Sequence, residues 1–78
     1  MPHAYDEIID FIAGGTSPRD LVGFRASEEA KARVDDLIRR EKEKGLSVEE
    51  RDELSHYLQL EHLMRLVKAR AHQHLAGE

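Results

Sequence analysis

The stretch LSHYLQLEHLMRLVKARA, residues 54–71, decides the fold because it has a helical pattern and is apolar on two sides. At about 100° per residue, its main apolar arc continues to residue 75 and consists of Tyr57, Leu60, Leu63, Met64, Val67, Ala71 and Leu75. A second, thinner apolar strip consists of Leu58, Leu66 and Ala69. A helix with so wide an apolar arc needs other elements to cover it, so the stretch predicts a packed helical domain.

The signals before this stretch predict how the helix begins. Ser47 and Glu50 form an S-x-x-E capping box, and Gly45 is placed to end a preceding helix. A stop signal followed directly by a start signal is typical of a tight antiparallel helical hairpin. No Gly or Pro follows until residue 77, so we predict a third helix over about residues 48–75, about 42 Å long.

The second helix is predicted over about residues 28–44, after the N-cap Ser27, with a length of about 25 Å. Charges at i,i+4 spacing, such as Glu29/Arg33 and Asp36/Arg40, cover most of its surface. Its apolar stripe is narrow and consists of Ala30, Val34, Leu37 and Ile38. If the second and third helices pair antiparallel from the turn, the second helix ends near the level of Arg65 on the third. The third helix beyond that point needs cover from the first helix, a second copy or another protein.

The N-terminal part predicts two shorter elements. A first helix over about residues 5–13 places Tyr5, Ile8, Ile9 and Ile12 on one face. A short helical turn is predicted over residues 17–23, capped by its first residue. We therefore expect one all-α domain over residues 1–78, in which a short N-terminal helix packs on a long antiparallel helical hairpin and the third helix is longest.

Composition excludes several classes of protein. The 78 residues include no Cys, which excludes disulfides and thiolate metal sites. The net charge of −4 argues against general attraction to nucleic acid. No apolar run approaches the ~20 residues that span a bilayer, and the N-terminal sequence MPHAYDEIIDF lacks the pattern of a secretory signal. We expect a cytoplasmic protein.

The thinner strip has no obvious covering element within the chain. It is either a loosely packed surface, since scattered exposed Leu residues are normal, or a face for self-association or partner binding, which we favour. Apolar residues on this side and near the end of the main arc would supply buried area, and nearby cations would supply register and steering. The predicted partner-binding residues are Leu58, Met64, Arg65, Leu66, Lys68, Ala69, Arg70 and Leu75.

Alternative chemistry is weakly supported by the sequence. Glu53 and His56 form the E-x-x-H spacing of di-iron carboxylate bundles, but a second copy of the motif is missing, and we interpret the two residues as a solvated pair. Residues 62–77 are basic and contain no acid, yet they lack aromatic groups for stacking nucleobases. We predict no catalytic residue, no metal ligand and no cofactor. A structural homo-oligomer, a ferritin-like metal-binding assembly and a nucleic-acid-binding module remain as alternatives.

Several longer stretches carry a resemblance to a known group of proteins. They are FIAGGTSP at 11–18, SEEAKARV at 27–34, KGLSVEERDEL at 44–54 and YLQLEHLMRLVKARA at 57–71. With them the chain resembles a widespread, largely uncharacterised group of small bacterial α-helical proteins that are often encoded next to an HNH-type endonuclease. The resemblance implies an antitoxin-like or otherwise regulatory binding partner of a nuclease, which acts by occupancy rather than by catalysis.

Overall fold

The computed structural model describes residues 3–77, and this part of the chain contains helices and no strand. The four helices are α1 (Asp6–Ala13), α2 (Pro18–Gly23), α3 (Glu28–Glu43) and α4 (Val48–Ala76). They correspond to the predicted segments to within one residue at each end. Of the domain predicted over residues 1–78, positions 1, 2 and 78 lie outside the described residues.

Serine caps explain where three of the helices begin. The hydroxyls of Ser17, Ser27 and Ser47 accept hydrogen bonds from backbone amides three residues later, at 3.2, 3.1 and 3.1 Å. The backbone amides of Ser17 and Ser47 in turn donate to the carboxylates of Asp20 and Glu50, so α2 and α4 each start with a complete capping box. These bonds satisfy amides that have no partner inside the helix.

Glycine at positive φ ends α3 at the expected residue. Gly45 has a φ of +85°, and its amide donates to the carbonyl of Arg40 at 2.9 Å. Side chains strongly disfavour this left-handed backbone, so a glycine allows the chain to reverse there. The next residue, Leu46, packs partly buried against the core, which anchors the turn between α3 and α4.

The longest helix sets the shape of the molecule. α4 has 29 residues and is therefore about 43 Å long, whereas the 16 residues of α3 span about 24 Å. The principal dimensions are 50 × 21 × 19 Å, so α4 runs along most of the long axis. Among residues 3–77 no helix combines the length and apolar character needed to cross a membrane.

One apolar core joins α1, α3 and α4. Its buried members are Ala4, Ile8, Val34, Leu37, Leu54, Tyr57 and Met64. Leu37 is completely buried and lies on the predicted apolar stripe of α3. The apolar periodicity of α3 and of the first part of α4 therefore identifies the sides that face each other.

The short α2 covers part of α4 that the sequence analysis left to other elements. α2 makes the most extensive contact with α4 of any helix. Directly after it, the carbonyl of Phe24 accepts a hydrogen bond from Nζ of Lys68 at 2.5 Å, and the Phe24 ring lies 4.5 Å from that of Phe11. Ala71, one turn beyond Lys68, is buried. The expectation that only α1, a second copy or another protein would cover this segment is therefore wrong.

Ion pairs connect α3 with the start of α4. Arg40 contacts Asp36 within its own helix at 3.1 Å, as its spacing indicates, and also Glu50 on α4 at 2.5 Å. Arg33 contacts Glu53 on α4 at 2.9 Å rather than Glu29, its predicted partner on the same helix. The Arg40–Glu50 contact ties the two helices together near the turn at Gly45, and the Arg33–Glu53 contact does so farther from it.

Candidate functional site

The thinner apolar strip of α4 remains accessible. The side chains of Leu58, Leu66 and Ala69 are exposed, with 49% and 58% of the two leucines accessible to solvent. Arg70 is exposed as well. Each of these four predicted partner-binding residues is therefore free of cover by the described part of the chain.

Met64 differs from these four residues, because its side chain is only 4% exposed and belongs to the core. It is not part of the exposed strip, but it helps to line a cavity beside α4. Leu75 lies between these extremes and is half-buried. The sequence placed Met64 on the main apolar arc, and burial follows from that position.

Arg65 and Lys68 both make contacts within the chain. Nη2 of Arg65 lies 2.5 Å from Oε1 of Glu61, one turn earlier, but 74% of the arginine side chain is exposed. Lys68 is half-buried, bonds to the Phe24 carbonyl and lies 5.8 Å from the centre of the Phe24 ring. Arg65 therefore presents a charge to solvent, whereas Lys68 also fixes the loop after α2.

Both cations line a cavity of about 250 Å³ that we call the basic-rimmed pocket. Its apolar lining includes Ile8, Phe24, Ala26, Tyr57 and Met64, its basic lining is Arg25, Lys31, Arg65 and Lys68, and Glu61 is its acidic member. Four cations and one acid surround an apolar floor in a chain whose net charge is −4. Such a site favours an apolar group attached to negative charge.

Two of the four basic residues of the basic-rimmed pocket, Arg25 and Lys31, were not predicted from the sequence. Arg25 lies in the loop after α2, and Lys31 lies on α3, so neither shares a helical face with the cations of α4. The pocket also contains Tyr57, whose phenol has its pKa raised by burial and by the adjacent negative charge of Glu61.

Glu53, the acid of the E-x-x-H motif, has a structural role. Glu53 is 5% exposed, and its carboxylate accepts bonds from Nη2 and Nε of Arg33 at 2.9 and 3.1 Å and from the amide of Ala4 at 2.9 Å. Arg33 holds the pKa of Glu53 below its usual range despite the opposing effect of burial. The interpretation of Glu53 as a solvated residue is wrong: it joins three segments of the chain.

His56 does not converge on the Glu53 carboxylate. It is exposed, and its ring packs edge-on against that of Tyr5 with 5.5 Å between the ring centres. Both Glu53 oxygens are bonded to the Arg33 guanidinium, with which any metal would have to compete. Within residues 3–77 no group of three or more His, Asp or Glu side chains is arranged to hold a metal ion.

A second accessible apolar surface lies between α1 and α4, and we call it the α1–α4 groove. It is lined by Tyr5, Ile9, His56, Gln59, Leu60 and Leu63. Ile9 is 44% exposed and Leu63 is 47% exposed, although sequence analysis placed both on faces that pack inside the domain. α1 is too short to cover both flanks of α4, so these side chains remain at the surface.

Comparison of the chain with protein-family models, curated proteins and solved structures found no match in any of the three. The resemblance to small bacterial proteins encoded beside a nuclease therefore stays a prediction from the stretches quoted above.

Proposed function

We propose that this chain is a non-catalytic protein-binding module that acts as an antitoxin-like or regulatory partner of an HNH-type nuclease. It binds through the C-terminal half of α4 and the neighbouring basic-rimmed pocket. The resemblance suggests the class of partner, and the pocket is the observation that carries the proposal. No catalytic residue or cofactor is proposed, because occupancy of the partner's surface is sufficient for this role.

The pocket and the thinner strip form one continuous surface on α4. Arg65 follows Leu58 by seven residues and precedes Ala69 by four, so the three side chains share one side of the helix. Arg65 also lines the pocket. A partner that covers this surface can place an apolar side chain in the pocket and bury the strip at the same time.

The charges around the pocket indicate the chemistry of the partner. Its basic rim complements an acidic segment, while its apolar floor accepts a large aliphatic or aromatic side chain. Full burial of such a side chain contributes about 1.5–3 kcal/mol. The exposed Arg65 and Arg25 mainly accelerate encounter and select the orientation of an acidic partner.

The proposal includes a finer arrangement of the helices and a compartment. We propose that α3 and α4 form an antiparallel hairpin, with α1 packed on it. The pairs Arg40–Glu50 and Arg33–Glu53 support it, because a step back along α3 accompanies a step forward along α4. A chain without Cys suits the reducing cytoplasm, which is where the proposed nuclease partner would be made.

Co-expression with the protein encoded by the adjacent gene tests the proposal. The two proteins should co-purify, and Leu58→Asp or Arg65→Glu should weaken the complex at least about tenfold, because each change alters a residue at the centre of the surface. Val48→Asp is the matched control, since Val48 is also exposed but lies at the other end of α4. A complex that survives both changes, or no complex with the neighbouring product, would contradict the proposal.

A further inference from the structure

We infer that α4 carries a second interface, through which two copies of this chain associate antiparallel around a two-fold axis. The interface consists of exposed residues spaced alternately three and four apart, which we call the α4 seam. Its members are Glu49, Asp52, His56, Gln59, Leu63, Leu66, Arg70 and Gln73. This spacing keeps side chains on one side of a helix that packs against another helix.

The seam changes character along its length. Its N-terminal end carries the acids Glu49 and Asp52, its middle carries Leu63 and Leu66, and its C-terminal end carries Arg70. A parallel second copy would place like charges opposite each other at both ends. An antiparallel copy places acid against base at both ends, so charge complementarity selects the antiparallel pair.

The register follows from the same residues. A two-fold axis at the level of Glu61 brings Asp52 opposite Arg70 of the second copy, because the two positions lie nine residues to either side of it. The same axis brings Gln59 opposite Leu63 of the second copy and His56 opposite its Leu66. Two ion pairs therefore flank a central region that contains four leucines, two from each copy.

The α1–α4 groove extends the apolar middle of the seam. Ile9 lies in this groove beside Leu63, and Ile12, one turn later on α1, is exposed to the same 44% extent. α1 of each copy therefore adds apolar area next to the central leucines. The surface left exposed by the short α1 becomes buried when a second copy is present.

The thinner strip is not suited to the same kind of pairing. Arg51 lies seven residues before Leu58 on that side of α4, and Arg65 lies seven residues after it. Antiparallel pairing of two copies about Leu58 would oppose these like charges, which is unfavourable. The side of α4 around Leu58 therefore favours an acidic foreign partner, whereas the seam, which shares Leu66 with the thinner strip, favours a second copy of the chain.

The dimer uses Leu66 and Arg70, which are also predicted partner-binding residues, but it leaves Leu58, Arg65 and the basic-rimmed pocket accessible. Self-association is therefore testable without the proposed nuclease partner. Contact between two single helices is small compared with the about 800 Å² per partner of a standard interface. We therefore expect a reversible dimer with a micromolar dissociation constant. Its assembly should be followed with the full chain over about 1 µM to 1 mM.

Charge inversion provides a specific test by sedimentation equilibrium. Asp52→Arg and Arg70→Asp should each weaken self-association roughly tenfold or more, since two-fold symmetry alters both ion pairs at once. An equal mixture of the two variants should restore the dimer, because the arginine introduced into one chain then faces the aspartate introduced into the other. Arg51→Asp is the control of similar charge change outside the seam and should leave the dimer intact.

A change in the apolar middle and a check of folding complete the experiment. Leu63→Asp should abolish the dimer while the helical circular dichroism of the chain is retained, because Leu63 lies at the surface. A wild-type chain that is monomeric at about 1 mM would overturn the inference. So would a mixture of the two charge variants that associates no more tightly than each variant alone.

Discussion

Replacing Arg33 with Ala should destabilise the fold more than any exposed ion-pair deletion in this chain. The change leaves the Glu53 carboxylate at 5% exposure with the amide of Ala4 as its remaining hydrogen-bond donor. Removing one partner of a buried pair costs about 3–5 kcal/mol, and the 34% exposure of Arg33 places the expected loss near the lower end. For 78 residues, a total stability of about 4–12 kcal/mol is expected, so a substantial fraction is lost.

The assay is urea unfolding at pH 7, followed by helical circular dichroism. Arg65→Ala is the matched control, because it removes the exposed Arg65–Glu61 pair and should cost at most about 0.5 kcal/mol. The double variant Arg33→Ala/Glu53→Ala should be more stable than Arg33→Ala alone, since no unpaired carboxylate remains buried. If Arg33→Ala costs no more than Arg65→Ala, the carboxylate is not buried as described.

The pH dependence of the unfolding free energy provides a second, independent test of the Arg33–Glu53 pair. Because Arg33 lowers the pKa of Glu53 below its ordinary value of 4.5, the pair contributes stability above that pH and loses it as the pH falls through the lowered pKa. Without Arg33, burial favours the protonated acid. The unfolding free energy of the Arg33→Ala variant should therefore increase as the pH is lowered from 7 to 5. An unfolding free energy that does not change over this range would contradict this account.

Substitutions at three local features, the turn at Gly45, the cap at Ser47 and the core around Met64, are tested by the same unfolding assay. Gly45→Ala should lower the free energy of unfolding by about 1–2 kcal/mol because φ there is +85°. Gly23→Ala is the control and should cost less, because the new carbon has open space around it. Equal losses for the two variants would contradict the described turn. Ser47→Ala removes the capping box and should lower the free energy of unfolding by about 1 kcal/mol; an unchanged stability would show that the cap contributes nothing. Met64→Ala should cost at least about 2 kcal/mol and Leu66→Ala less than about 0.5 kcal/mol, and the reverse order would place Met64 at the surface.

Local signals in the sequence predicted the helix boundaries well. Ser17, Ser27 and Ser47 act through bonds to amides three residues away, and Gly45 acts through its own backbone angle. Such interactions depend on neighbours in the chain, so the residue types carry the information. The helical fold class follows from these boundaries and from the apolar periodicity between them.

The candidate site was less predictable because it depends on contacts between elements. Spacing predicted that Arg33 would pair with Glu29, but Glu53 competes successfully because it is buried and cannot be hydrated. Helical periodicity placed Met64 and Leu63 on the same arc, yet the width of the covering helices buries only the first. Arg25 and Lys31 join the basic-rimmed pocket through the path of the loop after α2, which no spacing within one helix predicts.

The meeting of three segments at Glu53 has a consequence for the order of folding. Arg33 is 20 positions away from Glu53 along the chain, whereas Ala4 is 49 positions away. Closing the shorter loop costs less entropy, so α3 is expected to engage the carboxylate first and the N-terminal segment to arrive last. The Ala4 amide then becomes a reporter of the final folding step. Its hydrogen exchange measures how often the first residues detach while the rest of the molecule stays folded.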